Sequence, residues 1–258
     1  MPIGGAEDKI RERIILSRFT DLAGGDEARI LMVPAASSFF KEAGERYTAL
    51  FTDLGARAVE VLPVHTREHA NDESHIPTVE RATGIFFGGG NQLKLATVFG
   101  GTKVLRALKR CFEQGTSVGG TSAGASAMGS YMIAFGSTGS TPKKRQVYIS
   151  PGLGLIEDVC IDQHFKQRDR VGRLLSAVAQ NPMLLGMGLD EDTAVIINPD
   201  DTLEVVGSGG VMLLDGSTIT HTDAFEVKGH KPIAITDVHL HVLTHGYGFD
   251  LAARKPIL

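Results

Sequence analysis

The chain has 258 residues, 42% hydrophobic and 22% charged, with 26 Lys and Arg against 30 Asp and Glu for a formal net charge of −4. That balance excludes a disordered tail and argues against a surface built for nucleic acid, and no apolar run approaches the roughly 18 residues of a membrane span. The opening MPIGGAEDKIRER lacks the apolar stretch of a signal peptide, and Cys111 and Cys160 stand in no metal-binding spacing, as expected in a reducing cytoplasm.

In chain order, residues 29–34 form an apolar run with the length of a buried strand. Phe40, Ala43, Tyr47, Leu50, Phe51 and Leu54 then recur at helical spacing, and Gly55 supplies the stop. Residues 59–63 predict the next strand. A polar stretch over 65–74 leads to a buried strand at 84–87, which ends in Gly88-Gly89-Gly90. Val104, Leu108, Cys111 and Phe112 mark a second amphipathic helix closed by Gly115, and 116–118 predict a short strand. This alternation predicts an α/β fold, a mostly parallel sheet with helices on both faces and its ligands beyond the carboxyl ends of the strands. From Thr193 the texture changes. Residues 194–197, 203–206, 211–214 and 238–243 predict antiparallel strands extending that sheet, with hairpin turns at Asn198-Pro199-Asp200-Asp201 and Asp215-Gly216. No linker interrupts the chain, so residues 1–258 are expected to form one domain.

Thirty-one glycines exceed the usual share of roughly 7%, and they cluster without a fixed period. One cluster surrounds Ser122: Gly120-Thr121-Ser122-Ala123-Gly124 has the form G-x-S-x-G behind a predicted strand. A serine on a tight strand-to-helix turn needs small neighbours for its hydroxyl to stand clear, and the helix that follows points N–H groups at a developing oxyanion. Such a serine needs a base. His65, His69 and His75 lie in the polar stretch, and His221 and His230 flank a turn-rich segment. His239 and His241 alternate along a strand, with His245 beyond, but no carboxylate or thiolate set completes a metal site, so no metal is expected. His164 differs: it follows the apolar run Val159-Cys160-Ile161 and lies within a dense polar string, 162–170, where an α/β protein puts its chemistry. The orienting acid is left open among Asp190, Glu191 and Asp192, because spacing alone does not choose between them.

Together these motifs resemble the serine peptidase family of the cyanophycinases, which also contains the aspartyl dipeptidase peptidase E. The resemblance covers most of the chain. It rests on Gly4-Gly5-Ala6-Glu7-Asp8-Lys9, Gly89-Gly90-Asn91-Gln92-Leu93, the stretch 120–125, Asp162-Gln163-His164-Phe165 with Arg168, Arg170 and Arg173, and Gly188-Leu189-Asp190-Glu191-Asp192-Thr193-Ala194. The last two separate the cyanophycinase branch from the dipeptidase branch. The resemblance implies a class I glutamine amidotransferase-like fold and a cytoplasmic, homodimeric serine exopeptidase that needs no cofactor. The implied substrate is cyanophycin, a polyaspartate backbone with arginine on each side-chain carboxyl, cut to β-aspartyl-arginine dipeptides. Carried over residue by residue, Ser122 is the implied nucleophile, His164 the base and Glu191 the acid. Gln92, Asp162, Gln163, Arg168, Arg170 and Arg173 are implied to line the substrate pocket. Family members carry a full apolar strand before the first motif, whereas only Met1-Pro2-Ile3 precede it here, so either the first strand is shortened or the sequence begins late.

The residue types suit that substrate. Arg170 and Arg173 stand i and i+3, on one face if the segment is helical, and suit a substrate carboxylate, while Asp162 suits a guanidinium. The competing reading makes both arginines the exposed face of an amphipathic helix. The backbone amides of Gly90 and Ala123 are the expected oxyanion donors. Two other activities are open: a peptidase E-like aspartyl dipeptidase, and an α/β-hydrolase-type esterase in which Ser122 is served by Asp190 or Asp223 and the late His245. A dinucleotide-binding module is disfavoured, because the nearest G-x-G-x-x-G match, Gly152-Leu153-Gly154, has Glu157 where the last glycine belongs.

Overall fold

A computed structural model describes residues 1–258. β1 (Pro2–Ile3), β2 (Arg29–Val33), β3 (Ala58–Val61), β4 (Gly84–Phe87) and β5 (Ser117–Thr121) pair in parallel in the order β1-β5-β4-β2-β3. Successive side chains of a strand point to opposite faces. Leu31, Val33, Ile85 and Phe87 therefore enter one apolar core, and Ile30, Met32 and Phe86 enter the other. Helices close both. α1 (Ile14–Leu22) and α2 (Phe40–Asp53) bring Leu16, Phe19, Tyr47 and Phe51 to the second core. α3 (Ile76–Glu80), α4 (Gln92–Phe99) and α5 (Lys103–Glu113) bring Val79, Leu95, Phe99, Val104 and Leu108 to the first. Fully burying a large apolar side chain is worth roughly 1.5–3 kcal/mol, so these faces fix the helix positions. Local signals set the starts of α4 and α5, where Asn91 accepts from the amides of Leu93 and Lys94, and Thr102 from that of Leu105. β1 is two residues long.

α6 (Ala123–Ala127) follows β5 after one residue, and β6 (Tyr131–Gly136) with β7 (Val147–Pro151) then forms a two-stranded ribbon. β8 (Val159–Asp162), α7 (Val171–Gln180) and β9 (Leu185–Leu189) make a parallel crossover unit. The last third contains β10 (Thr193–Ile197), β11 (Thr202–Gly207), β12 (Gly210–Asp215), β13 (His239–Thr244), β14 (Gly248–Asp250) and β15 (Lys255–Ile257). β10, β11, β14 and β15 extend the β1 edge antiparallel and complete a nine-stranded sheet.

The expectation that all the late strands extend this sheet is corrected for two of them. β12 and β13 join β9 and β8 in a four-stranded sheet, order β13-β12-β9-β8. The reason is local. The carboxylate of Asp192 accepts from the Ser208 hydroxyl and that of Asp190 from the Gly210 amide, pinning 208–210 to the β9–β10 turn and redirecting the chain. Nor is Asp215-Gly216 a tight hairpin, since residues 216–238 separate β12 from β13. The two sheets share one core, in which Met187, Leu189 and Leu213 belong to the same apolar cluster as Leu31 and Ile85.

Candidate active site

The carboxyl ends of β4 and β5 open onto one site. Between β5 and α6 stands Ser122 alone, with φ 52° and ψ −111°. A non-glycine residue is strained there, as a nucleophile on a tight strand-to-helix turn is. Its amide donates to the carbonyl of Ile3 at 3.0 Å. Its Oγ lies 2.9 Å from His164 Nε2 and 3.5 Å from Gln163 Oε1.

His164 is also in the left-handed region, with φ 46°, and its amide donates to the carbonyl of Gly4 at 2.8 Å. Only glycine lets the first motif pass this close: a Cβ on Gly5, at φ 96°, would lie 2.5 Å from the imidazole Cε1. On the far side of the ring, Nδ1 lies 2.6 Å from Glu191 Oε1. Burial pushes the imidazole below the ordinary histidine pKa. The hydrogen bond to Glu191 opposes this shift, and the positive charge of Arg168 adds to it. Neutral imidazole is thus the form at neutral pH, with Nδ1–H donating to Glu191 and Nε2 open to the serine proton.

The three consecutive acids divide their work. Glu191 turns to His164, and its own amide donates to Gln167 Oε1 at 3.1 Å. Asp190 accepts from the amides of Lys166 at 3.0 Å and Gly210 at 3.1 Å. Asp192 accepts from the amide of Asp8 at 2.9 Å and the hydroxyl of Ser208 at 2.7 Å. The flanking acids hold together the loops that present the central one. The late-histidine arrangement is not formed: Ser122 Oγ meets His164 and Gln163, His245 is exposed on a cleft that Phe165 and Met212 also line, and Asp223 accepts from the amide of Ala234. His239 is exposed, while His241 packs on Phe249 with ring centroids 5.3 Å apart.

Behind the Ser–His pair lies a buried ionic cluster. Asp162, at 0% exposure, accepts from Arg173 Nε at 2.6 Å, from Arg173 Nη2, from Arg170 Nη1 at 3.2 Å and from the amide of Gln163 at 3.0 Å. Arg170 Nη1 also donates to the carbonyl of Gln163 and, at 3.0 Å, to its Oε1. Two expectations change here. The arginines do share a face at the start of α7, but they are buried, and the carboxylate they grip is Asp162. Asp162 in turn is not open to a substrate guanidinium. A carboxylate taken wholly out of water needs paired charge and hydrogen bonds, and these two guanidinium groups supply both. Burial lowers Arg170 to about 10, which leaves it charged at neutral pH. Its Nε is buried without an acceptor. Arg168 is exposed and in no ion pair. Gln92, the first residue of α4, donates Nε2 to the carbonyls of Ile133 at 2.9 Å and Ala134 at 3.1 Å, tying the β6–β7 ribbon to the site.

The Gly88-Gly89-Gly90 turn abuts the serine: a Cβ on Gly89 would lie 3.5 Å from Ser122 Cβ. Gly90 takes φ 141°, and a Cβ there would fall 2.2 Å from the Ala36 carbonyl oxygen, so this turn admits no side chain at that position. The amides of Gly89 and Gly90 donate to no backbone acceptor, and that of Ala123 opens α6, where a helix has no internal acceptor to offer. Sequence reasoning assigned no role to Glu7. It is buried beneath the turn, where it accepts from the Tyr47 hydroxyl at 2.5 Å and the Thr121 hydroxyl at 2.6 Å and pairs with Lys9 at 2.8 Å. It thereby holds the residue before Ser122. The only signal in the sequence was its place in the first motif.

The sequence pattern of peptidase family S51 matches residues 2–205. The chain is 40% identical over 256 residues to the cyanophycinase of Geminocystis herdmanii, covering 99% of this chain and 94% of that protein. It is 41% identical over 253 residues to the cyanophycinase of Trichormus variabilis, covering 98% and 85%. Among solved structures it is similar to a peptidase from an acI-B1 Actinobacterium, with a TM-score of 0.67 and 22% identity over 92% of this chain and 94% of that one, a likeness of fold.

Proposed function

The chain belongs to peptidase family S51 and is a serine-type peptidase, and from that premise we propose that it degrades cyanophycin through Ser122, His164 and Glu191. The carrying observation is one line of contacts: Ser122 Oγ 2.9 Å from His164 Nε2, and His164 Nδ1 2.6 Å from Glu191 Oε1. Two relatives named cyanophycinase, aligned over nearly the whole chain, support the substrate.

In this reading Ser122 Oγ attacks a backbone carbonyl of the aspartate chain while its proton passes to His164 Nε2. The carbonyl oxygen becomes an oxyanion that accepts from the amides of Gly90 and Ala123, each worth about 3–4 kcal/mol to the transition state. Collapse breaks the C–N bond, the leaving amine takes the proton from Nε2, and an ester remains on Ser122. Water then gives a proton to Nε2, attacks the ester and frees a β-aspartyl-arginine dipeptide, and the proton returns to Ser122. Glu191 stays a carboxylate throughout and stabilises the imidazolium that forms twice. Arg168, exposed and unpaired beside the histidine, is the cation available to a substrate carboxylate. Asp162, Arg170 and Arg173 act one layer behind, holding Gln163 beside the serine. No metal or cofactor enters the scheme.

The test is incubation with purified cyanophycin and mass analysis of the soluble products. Release of β-aspartyl-arginine is expected. An untouched polymer, with cleavage of small aspartyl dipeptides instead, would favour the peptidase E-like activity. The reading also carries one domain over residues 1–258, supported by the core that both sheets share, together with a cytoplasmic location and a homodimer. No helix is long and apolar enough to cross a membrane.

The pH dependence has a definite sign. The base must be neutral to act, so kcat/KM should rise with pH as His164 loses its proton, with a midpoint below the ordinary histidine value. Arg168→Gln removes a positive neighbour that lowers this pKa, so the midpoint should move upward. A midpoint that stays or falls, read from initial rates between acid and neutral pH, would detach Arg168 from the histidine.

A further inference from the structure

We propose that the stacked rings of Phe135 and Tyr148, on the β6–β7 ribbon at the rim of the site, form a subsite for substrate guanidinium groups on units beyond the one being cut. The proposal rests on the cyanophycin-degrading reading above. The rings are 59% and 58% exposed, with centroids 4.8 Å apart and planes 4° from parallel. Each covers one face of the other, and more than half of each residue remains exposed.

Their placement is built into the strand. The register of the ribbon shifts between Ile133 and Phe135, so Ala134 is an extra residue with no partner across the strand. Strict alternation would put Phe135 on the side of Ile133, which is 1% exposed; the bulge turns it outward, opposite Tyr148. The carbonyls at the bulge, those of Ile133 and Ala134, accept from Gln92, the first residue of α4, two residues after the glycine turn that touches Ser122. On the other side of Phe135, the carbonyl of Gly136 accepts from Arg173 Nη1 at 3.4 Å. The aromatic pair is thus anchored to the site from both of its flanks.

The chemistry follows from the shape. A guanidinium is planar and weakly hydrated, and it stacks on aromatic faces. The proposed polymer carries one on every unit, so a platform outside the cleavage position meets several. The loop joining the two strands adds Lys143 and Arg145, both exposed and in no ion pair, and the carboxylate of an arginyl unit is their natural counterpart.

The experiment compares Phe135→Leu, Tyr148→Leu and the double variant with wild type, on cyanophycin and on a short substrate with a single arginyl unit. Leucine keeps the apolar bulk and removes the π face. Each single change should lower kcat/KM on the polymer roughly threefold to tenfold through KM, with kinetics on the short substrate unchanged, and Phe135→Trp should preserve polymer activity. Polymer kinetics equal to wild type in the double variant would overturn the subsite, as would an equal fall on both substrates. Unchanged polymer kinetics with a shift from dimer to monomer in light scattering would instead make the pair a contact between copies. A wild-type protein that releases no dipeptide from the polymer would overturn the functional reading and the subsite together.

Discussion

Ser122→Ala is expected to lower dipeptide release from cyanophycin by roughly four to six orders of magnitude while leaving substrate affinity near that of wild type. The change deletes only Oγ. Alanine keeps the same Cβ at φ 52°, so the strain of the turn is neither relieved nor increased, and the fold should melt within a few degrees of wild type. Because Ser122 and His164 act as a unit, His164→Ala should cost about as much, and the double variant little more than either. Glu191→Gln should fall short of both losses, since the Ser–His contact survives and only the stabilisation of the imidazolium is lost. The measurement is product release at high enzyme concentration, with substrate binding followed separately. A serine-directed covalent inhibitor should add its mass to the peptide that contains Ser122. Activity of Ser122→Ala within tenfold of wild type would remove the serine from the chemistry.

Asp162→Leu should destabilise the fold by about 3–5 kcal/mol, because it leaves Arg170 and Arg173 buried without the carboxylate that compensates them. For a chain of this length that is a fall in melting temperature of roughly 6–20 °C. Adding Arg173→Met should recover part of the loss, since removing both members of a buried pair costs less than orphaning one. Activity should fall too, because Arg170 Nη1 steers Gln163 Oε1, which lies 3.5 Å from Ser122 Oγ. Arginines that merely decorated a helix surface would leave the melting temperature unchanged. Thermal and denaturant unfolding of the single and double variants separates the two cases.

Much of the fold was legible because burial has a period. Residues 29–34 and 84–87 lie between two cores and read as continuous apolar runs, and α2 and α5 show their single buried faces at helical spacing. β5 was read short, since Gly119 and Gly120 continue the strand without any apolar signal. In β6 the bulge at Ala134 breaks the alternation that marks a strand. α4 was hidden inside a motif read for its glycines, although Asn91 is a serviceable cap.

For the site, the sequence by itself determined the elbow around Ser122, because a strained turn tolerates only small neighbours and that is a local property. It also singled out His164, at the end of a strand where polar residues gather. Spacing alone left open which of three consecutive acids meets the histidine; the family resemblance implied Glu191, and the packing of 166–167 and 208–210 against the 190–192 turn is what brings its carboxylate to the ring. The fate of the charged string was decided only in three dimensions: charge type does not encode burial, and Asp162 with its arginines became an internal pair because β8 ends beneath the first turn of α7. Local sterics and periodic burial act between near neighbours in the chain and can be read along it. The partner of a buried charge, as with Glu7 and Thr121 across 114 residues, is fixed by where the rest of the fold brings the second group.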